Sequence, residues 1–395
     1  MRRKKSVVTS RAVAARSPKR GTDRPGTRTH RAAPSSAPSM RSGGGTARAT
    51  GTRAAPHAQA APEPGTIAAS DAAVDLTVDL APRRPGALVL RNPLMAAAGC
   101  FGYGADSGDL VDVEELGAIC TRSTTFEARP GNQPPRMVAI PAGLLNAVGL
   151  QNPGVDAVLE RYAPRWAAWS VPVIVSVAAG SVDGFASVAR RLDGQPGVAA
   201  IELNLSCPNV ARRGIPFGLD EDDAGDVVAA VRGVTDLPLI AKLSPAAPDP
   251  RSVAAAVAAS GADAVSAVNT LPGLALDRES RATALGNAYG GISGPALHPV
   301  ALRVVYEIAQ VARIPIIGVG GVTSLADVLD FLLAGASAVG IGTALFADPG
   351  LPVRLAAELA EYCRAHGLHS HRELVGAALP TGRGRPGARG AEYRP

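Results

Sequence analysis

From about residue 71 onward, hydrophobic and polar positions fall into a repeating order. It opens with strict alternation, Val74-Asp75-Leu76-Thr77-Val78-Asp79-Leu80, and resumes after a Pro-Arg-Arg-Pro-Gly turn sequence with Ala87-Leu88-Val89-Leu90. Period-two alternation on both sides of a turn predicts a β-hairpin. Beyond it, short runs that are apolar at nearly every position alternate with stretches of helical period. The runs are Leu94–Ala98, Ala118–Thr121, Val173–Val177, Ala199–Leu205, Leu239–Leu243, Ala264–Val268, Ile316–Val319 and Ala338–Ile341. Strands apolar on both faces are buried on both faces, as in a parallel sheet. Helical stretches such as Ser252–Ser260 and Ala301–Ala312 fall between them. Eight β/α units in about 250 residues predict an α/β fold, a closed (β/α)8 TIM barrel preceded by an N-terminal β-hairpin. An open doubly wound sheet would carry G-x-G-x-x-G after its first strand, and Gly99-Cys100-Phe101-Gly102-Tyr103-Gly104 lacks that form.

The flanks differ. Residues 1–70 are rich in Arg, Ala, Ser, Thr, Pro and Gly and carry neither period, so a disordered basic tail is expected there. Residues 371–395 are expected to form a flexible C-terminal tail, which leaves 71–370 as the folded domain. The net charge of +6 divides into +13 over residues 1–60, +3 over residues 381–395 and −10 over the 320 residues between. The part able to fold is acidic, which argues against a nucleic-acid groove. No apolar run follows the Met1-Arg2-Arg3-Lys4-Lys5 start, and no stretch reaches the roughly 18 apolar residues of a membrane span. A cytoplasmic protein is expected. The tail's composition fits a transit peptide, and an upstream mis-assigned start codon fits it equally well; a weak anion-binding arm is a third option, and a plain solvated arm is the leading reading. Four cysteines in 395 residues exclude a disulfide scaffold, and with no C-x-x-C and scattered histidines no metal site is expected.

In such a barrel the chemistry lies at the C-terminal ends of the strands. Asn146, Asn204, Asn209 and Asn269 all fall there. A single Asn could serve as an Asx-turn or cap, but four at one mouth imply a planar polar ligand. Cys207 is the thiol within that group, held in an irregular loop by Pro208; Cys100, Cys120 and Cys363 read as packing residues. A thiol can act as a base at slightly alkaline pH. Lys242 ends an apolar strand and, inside a mouth, needs an anionic partner. Gly320-Gly321 and Gly342-Thr343, after the last two strands, stand where such barrels cradle phosphate.

Taken together, N-A-V-G-L-Q-N-P-G at 146–154, E-L-N-L-S-C-P-N-V at 202–210, Lys242-Leu243-Ser244-Pro245, V-N-T at 268–270, G-G-I-S-G-P-A at 290–296, G-V-G-G-V at 318–322 and G-I-G-T-A-L-F at 340–346 resemble dihydroorotate dehydrogenase. The cysteine places the resemblance in the soluble class 1 branch, and it covers about residues 72–365. It implies FMN on the barrel and oxidation of dihydroorotate to orotate in pyrimidine synthesis. Cys207 would be the base. Asn146, Asn204, Asn209, Asn269 and Thr270, with Arg122 and backbone groups of Val148, Gly149 and Leu150, would hold the substrate. Ala98, Gly99, Arg122, Ser123, Ser176, Asn204, Lys242, Val268 and Gly294 would contact the flavin. Gly320, Gly321, Gly342 and Thr343 would take its phosphate.

Three positions depart from the family pattern, which usually has Lys at Arg122, Ser at Ala98 and Asn at Ser176. L-Q-N-P-G and the Gly-Thr-Ala-Leu-Phe ending look most like the NAD-linked branch, which works with a separate iron–sulfur and FAD subunit; a homodimer or heterotetramer is the expected assembly. Two other readings stay open: a flavin barrel acting on another pyrimidine ring, and a flavin-binding paralogue with impaired catalysis, for which Arg122 is the main support.

Overall fold

A computed structural model describes residues 73–84, 86–104, 111–206, 211–212 and 215–380. The tails expected over 1–70 and 381–395 lie outside the described residues.

The eight apolar runs become eight parallel strands: β1 Leu94–Ala96, β2 Ile119–Cys120, β3 Val173–Val177, β4 Ala200–Asn204, β5 Leu239–Lys242, β6 Ala264–Ala267, β7 Ile316–Val319 and β8 Ala338–Ile341. They hydrogen-bond in chain order, and β8 pairs with β1 to close the barrel. Closure excludes the open-sheet alternative. Among the described residues, seven α-helices follow β2 to β8 in turn: α1 Val155–Trp166, α2 Val182–Leu192, α3 Glu221–Arg232, α4 Pro250–Ala259, α5 His298–Ala309, α6 Leu325–Ala334 and α7 Leu351–Ala365. Their ends are set by local chemistry. Ser181 Oγ accepts the Gly184 N–H at the start of α2, Ser324 and Asp327 form a reciprocal capping box at α6, and Gly335 ends α6 with φ 111°. Asp249 with Pro250 moves the start of α4 two residues ahead of the apolar period.

Strand parity divides the core in two. Alternate residues such as Val173, Val175 and Val177 face the helices, while Ile174 faces the lumen with Met95, Ala118, Cys120, Ala200, Ile240, Ala264, Ile317 and Ala338. Several of these lumen residues stand at strand starts, and the N-terminal hairpin packs on them. Val78–Asp79 pairs antiparallel with Val89–Leu90, and Val78, Leu80, Ala81, Leu88 and Leu90 join the lumen cluster. The hairpin is a plug closing the N-terminal end of the barrel. Its turn is tied down by Arg84, whose Nε is 3.4 Å from Asp263; Asp263 also binds Arg232 at 3.1 Å and accepts the Leu239 N–H at 2.9 Å. The hairpin is shorter than the alternation suggests, because Asp75 pairs with Ser370 instead.

That pairing corrects the C-terminal boundary at 370. Residues 371–380 pack on the barrel: His371 is fully buried, and the Gly376 and Ala378 N–H groups donate to Leu332 and Leu333 carbonyls at 2.9 and 3.0 Å. The polar composition of this segment conceals a few well-placed contacts.

A second unforeseen element covers the C-terminal mouth. The stretch expected to be a long loop before Asn146 contains strands Met137–Ile140 and Gly143–Asn146. With Leu271–Leu274 and Tyr289–Ser293 they form a four-stranded antiparallel sheet. Glycine allows its close approach: a Cβ on Gly291 would collide with the Thr270 hydroxyl.

Leu90 is fully buried in the plug. Leu90→Ala should destabilise the protein by about 2–5 kcal/mol, as for other core truncations. A denaturant midpoint unchanged from wild type would show that the hairpin is not a plug.

Candidate active site

The inward parity that builds the lumen carries polar residues into its upper end. β4 turns Glu202 and Asn204 inward, β5 turns Lys242, β6 turns Ser266 and β3 turns Ser176. Polar groups sealed there must find partners. A connected row of side chains supplies them. Ser176 Oγ and Ser123 Oγ are 2.9 Å apart, and Asn204 Nδ2 donates to Ser123 Oγ at 3.0 Å. Asn269 Nδ2 donates to Asn204 Oδ1 at 3.1 Å and to Ser206 Oγ at 2.6 Å, and Asn269 Oδ1 accepts the Thr270 N–H at 2.8 Å. The row orients each amide before any ligand arrives. From the covering sheet, Asn146 Nδ2 donates to Gly291 O at 3.2 Å.

Two cations flank the row. Lys242 is 5% exposed, and its Nζ lies 3.6 Å from Glu202 Oε1, the anionic partner that a buried lysine requires. Arg122 is half-buried on the cavity wall, and its guanidinium makes no ion pair with a described residue. Cys100 also lines the cavity. Burial pushes its thiol up to about 11, although Lys242 and Arg122 pull the other way. Cys120 is raised well above its ordinary value, first by burial and then by the charge of Glu202, and Cys363 is raised by burial.

These groups surround a cavity of about 620 Å³ between the strand ends and the covering sheet, in the range of small-molecule sites. One end is made of backbone. Gly294, Gly320 and Gly321 have φ of 96°, 153° and 70°. A Cβ on Gly321 would stand 2.8 Å from Gly294 O, so only glycine lets these two turns meet. His298 Nδ1 donates to Gly320 O at 3.1 Å and braces the turn from outside. Gly342 opens a short 3-10 turn, Thr343–Phe346, beside it. Exposed peptide groups of this kind suit an anion.

Of the residues expected from the sequence, Ala98, Gly99, Arg122, Ser123, Asn146, Val148, Gly149, Leu150, Asn204, Lys242, Val268, Asn269, Thr270, Gly294, Gly320, Gly321, Gly342 and Thr343 all line this cavity. Ser176 does not: it is fully buried behind Ser123 and reaches the cavity only through that hydroxyl. Cys207 and Asn209 lie outside the described residues. Sequence reasoning passed over Ser206, which belongs to the hydrogen-bonded row, and Asn132, whose Nδ2 donates to Ala147 O at 3.1 Å and supports the 146–150 wall. Ser206 stood inside the N-L-S-C-P-N motif and could have been read with it. Asn132 gives no signal, because its role depends on a loop folding back.

Comparison with known proteins follows the same lines. Residues 86–363 match the family described as dihydroorotate dehydrogenase. The chain is similar to the protein named dihydroorotate dehydrogenase B (NAD(+)), catalytic subunit, from Desulforudis audaxviator, at 48% identity over 295 residues, 75% of this chain and 96% of the relative. It is also similar to the proteins of that name from Pelobacter propionicus, at 47% over 77% of this chain and 98% of the relative, and from Geobacter sulfurreducens, at 45% over the same shares.

The cysteine environments make a labelling prediction. Raised thiols stay protonated through neutral pH and react slowly, and they gain reactivity only as the pH climbs toward their raised values. Iodoacetamide at pH 8, read by peptide mass spectrometry, should leave Cys100, Cys120 and Cys363 largely unmodified, with any fast labelling at Cys207. Rapid modification of Cys100 would contradict the sealed cavity wall.

Proposed function

The chain belongs to the dihydroorotate dehydrogenase family and oxidises dihydroorotate to orotate in pyrimidine biosynthesis; we propose that it does so on FMN, with Cys207 as the base. The family as a whole is flavin-dependent. The observation that carries the FMN reading is the cavity itself. Its glycine-built end suits a phosphate, its floor holds the Lys242 ammonium, and its wall holds a pre-oriented amide row. A cavity of about 620 Å³ leaves room for a flavin ring and a small planar substrate together. When bound, the flavin supplies the hydride acceptor.

The chain's own residues do the rest. Asn146, Asn204, Asn209, Asn269 and Thr270 bind the ring edges of dihydroorotate, and the hydrogen bonds that join Asn204, Asn269 and Thr270 fix the orientation of that part of the site. Arg122 takes the substrate carboxylate. Its fork geometry offers two parallel hydrogen bonds where a lysine would offer a point charge. Cys207 follows Ser206, the last residue of the described row, and takes the proton from the ring carbon beside the carbonyl. The four-stranded sheet over the mouth keeps bulk water from the reacting atoms. Lys242 would hold the pyrimidine edge of the flavin from the cavity floor, where its positive charge would favour the electron-rich reduced form. Ser176 acts through Ser123.

The relatives' names describe a catalytic subunit of an NAD-linked enzyme. We accordingly read this chain as the catalytic part of an assembly, a homodimer or heterotetramer, whose separate subunit carries an iron–sulfur cluster and FAD and passes electrons to NAD. The four cysteines are spread over the chain at 100, 120, 207 and 363, which is no spacing for a cluster of its own. Among the described residues no helix is long and apolar enough to cross a membrane.

The purified protein mixed anaerobically with dihydroorotate should bleach its flavin absorbance, with one FMN released per chain on denaturation. A colourless protein that cannot be loaded with FMN would overturn this reading. Cys207→Ser should keep FMN and orotate binding but reduce about 10²–10⁴-fold more slowly at neutral pH, the usual loss for a general base. In the wild type, the reduction rate should rise with pH as the Cys207 thiol ionises. Reduction of the Ser variant at the wild-type rate would remove Cys207 from the mechanism.

A further inference from the structure

Glu202 has no part in the mechanism above, yet it lies directly beneath the site. On β4 it sits one inward step below Asn204, flanked in register by Ser176 of β3 and Ile240 of β5. Its side chain is 3% exposed. Its Oε1, 3.6 Å from Lys242 Nζ, accepts no hydrogen bond in the structure. Among the described residues, the one ion pair that either group makes is with the other. Cys120, packed in the same lumen, hydrogen-bonds Glu202 through its neutral thiol but offers the carboxylate no compensating charge. Ser266 Oγ, next to Lys242 in register, is buried without a hydrogen bond.

A carboxylate sealed in the lumen is costly, and an apolar side chain would fill this position as well. Packing therefore does not explain Glu202, but the lysine above it does. At 3.6 Å the pair attracts without a direct hydrogen bond, so the three ammonium donors are not consumed by it. Lys242 lines the cavity. We propose that Glu202 is a positioning residue, which holds the Lys242 ammonium at the cavity floor with its donors free for the ring edge of the bound flavin. The proposal rests on the FMN reading above. Without the carboxylate the ammonium would be an uncompensated buried charge, and it would withdraw from the floor or lose its proton.

The test is a double-mutant cycle on FMN affinity, measured by fluorescence quenching with the apo-protein, and on the midpoint potential of the reloaded protein. Lys242→Met should weaken FMN binding by about tenfold or more and lower the potential. Glu202→Gln, nearly isosteric, should do the same. The Glu202→Gln/Lys242→Met double variant should be no worse than Lys242→Met alone, and Glu202→Asp should recover part of the loss. Glu202→Gln at wild-type affinity and potential, or effects that add to those of Lys242→Met, would overturn the positioning role. If Lys242→Met itself changes neither quantity while FMN still binds, the Lys242 assignment fails, and the role of Glu202 with it. If no variant and no wild type binds FMN, the cofactor reading is what has failed. Should Glu202→Gln not fold, the double variant decides. A folded double traces the defect to the unpaired lysine and supports the proposal, whereas an unfolded double makes Glu202 a purely structural residue.

Discussion

Closure of the eight-stranded barrel is the constraint on which the rest depends. Once β8 pairs with β1, every second strand residue faces a sealed lumen, and each must be apolar or find a polar partner there. The lower layers obey with Met95, Ile174, Ile240 and Ile317. The upper layer holds Ser176, Glu202, Asn204, Lys242 and Ser266, so chemistry and packing compete for the same few inward positions. The hydrogen-bonded row from Ser176 to Ser206 takes up Ser176 and Asn204, and the ion pair joins Glu202 to Lys242.

The two ends of the lumen are closed by different means. At the N-terminal end an apolar hairpin fills it, pinned through Arg84 and Asp263. At the other end the lid is a thin antiparallel sheet standing off the strand ends, and the space beneath it is the cavity. A plug must exclude everything and is accordingly Leu- and Val-rich. A lid must cover a ligand, and it is built with Gly291 so that backbone can approach Thr270 closely. Both are additions outside the β/α repeat, and the barrel without them would be an open-ended tube.

Electrostatics at the mouth follow from burial. Lys242 is balanced from below, whereas Arg122 has no described anionic partner, so the cavity presents a net attraction for an anionic, planar guest. The same burial keeps Cys100 and Cys120 protonated. Arg122 holds its charge at a half-buried position on the cavity wall.

The barrel was legible in the sequence because strands buried on both faces must be apolar throughout, and eight such runs at β/α spacing leave little choice of architecture. Most cavity residues were legible too: once strand ends are located, Asn204, Lys242, Asn269 and the Gly320-Gly321 and Gly342-Thr343 pairs can occupy only one end of the molecule. The covering sheet was not, since its strands are short and half-exposed, Tyr289–Ser293 is interrupted by Gly, and its pairing with Gly143–Asn146 joins positions more than a hundred residues apart. The packed segment 371–380 was hidden in the same way, as was the withdrawal of Ser176 behind Ser123. The pairing of Glu202 with Lys242 was only half visible: the lysine's need for an anion follows from burial alone, but which carboxylate meets it depends on the stagger between β4 and β5. Local pattern, read residue by residue, determined which elements form and which end carries chemistry. Register and long-range pairing, which no local pattern encodes, decided what touches what inside that end.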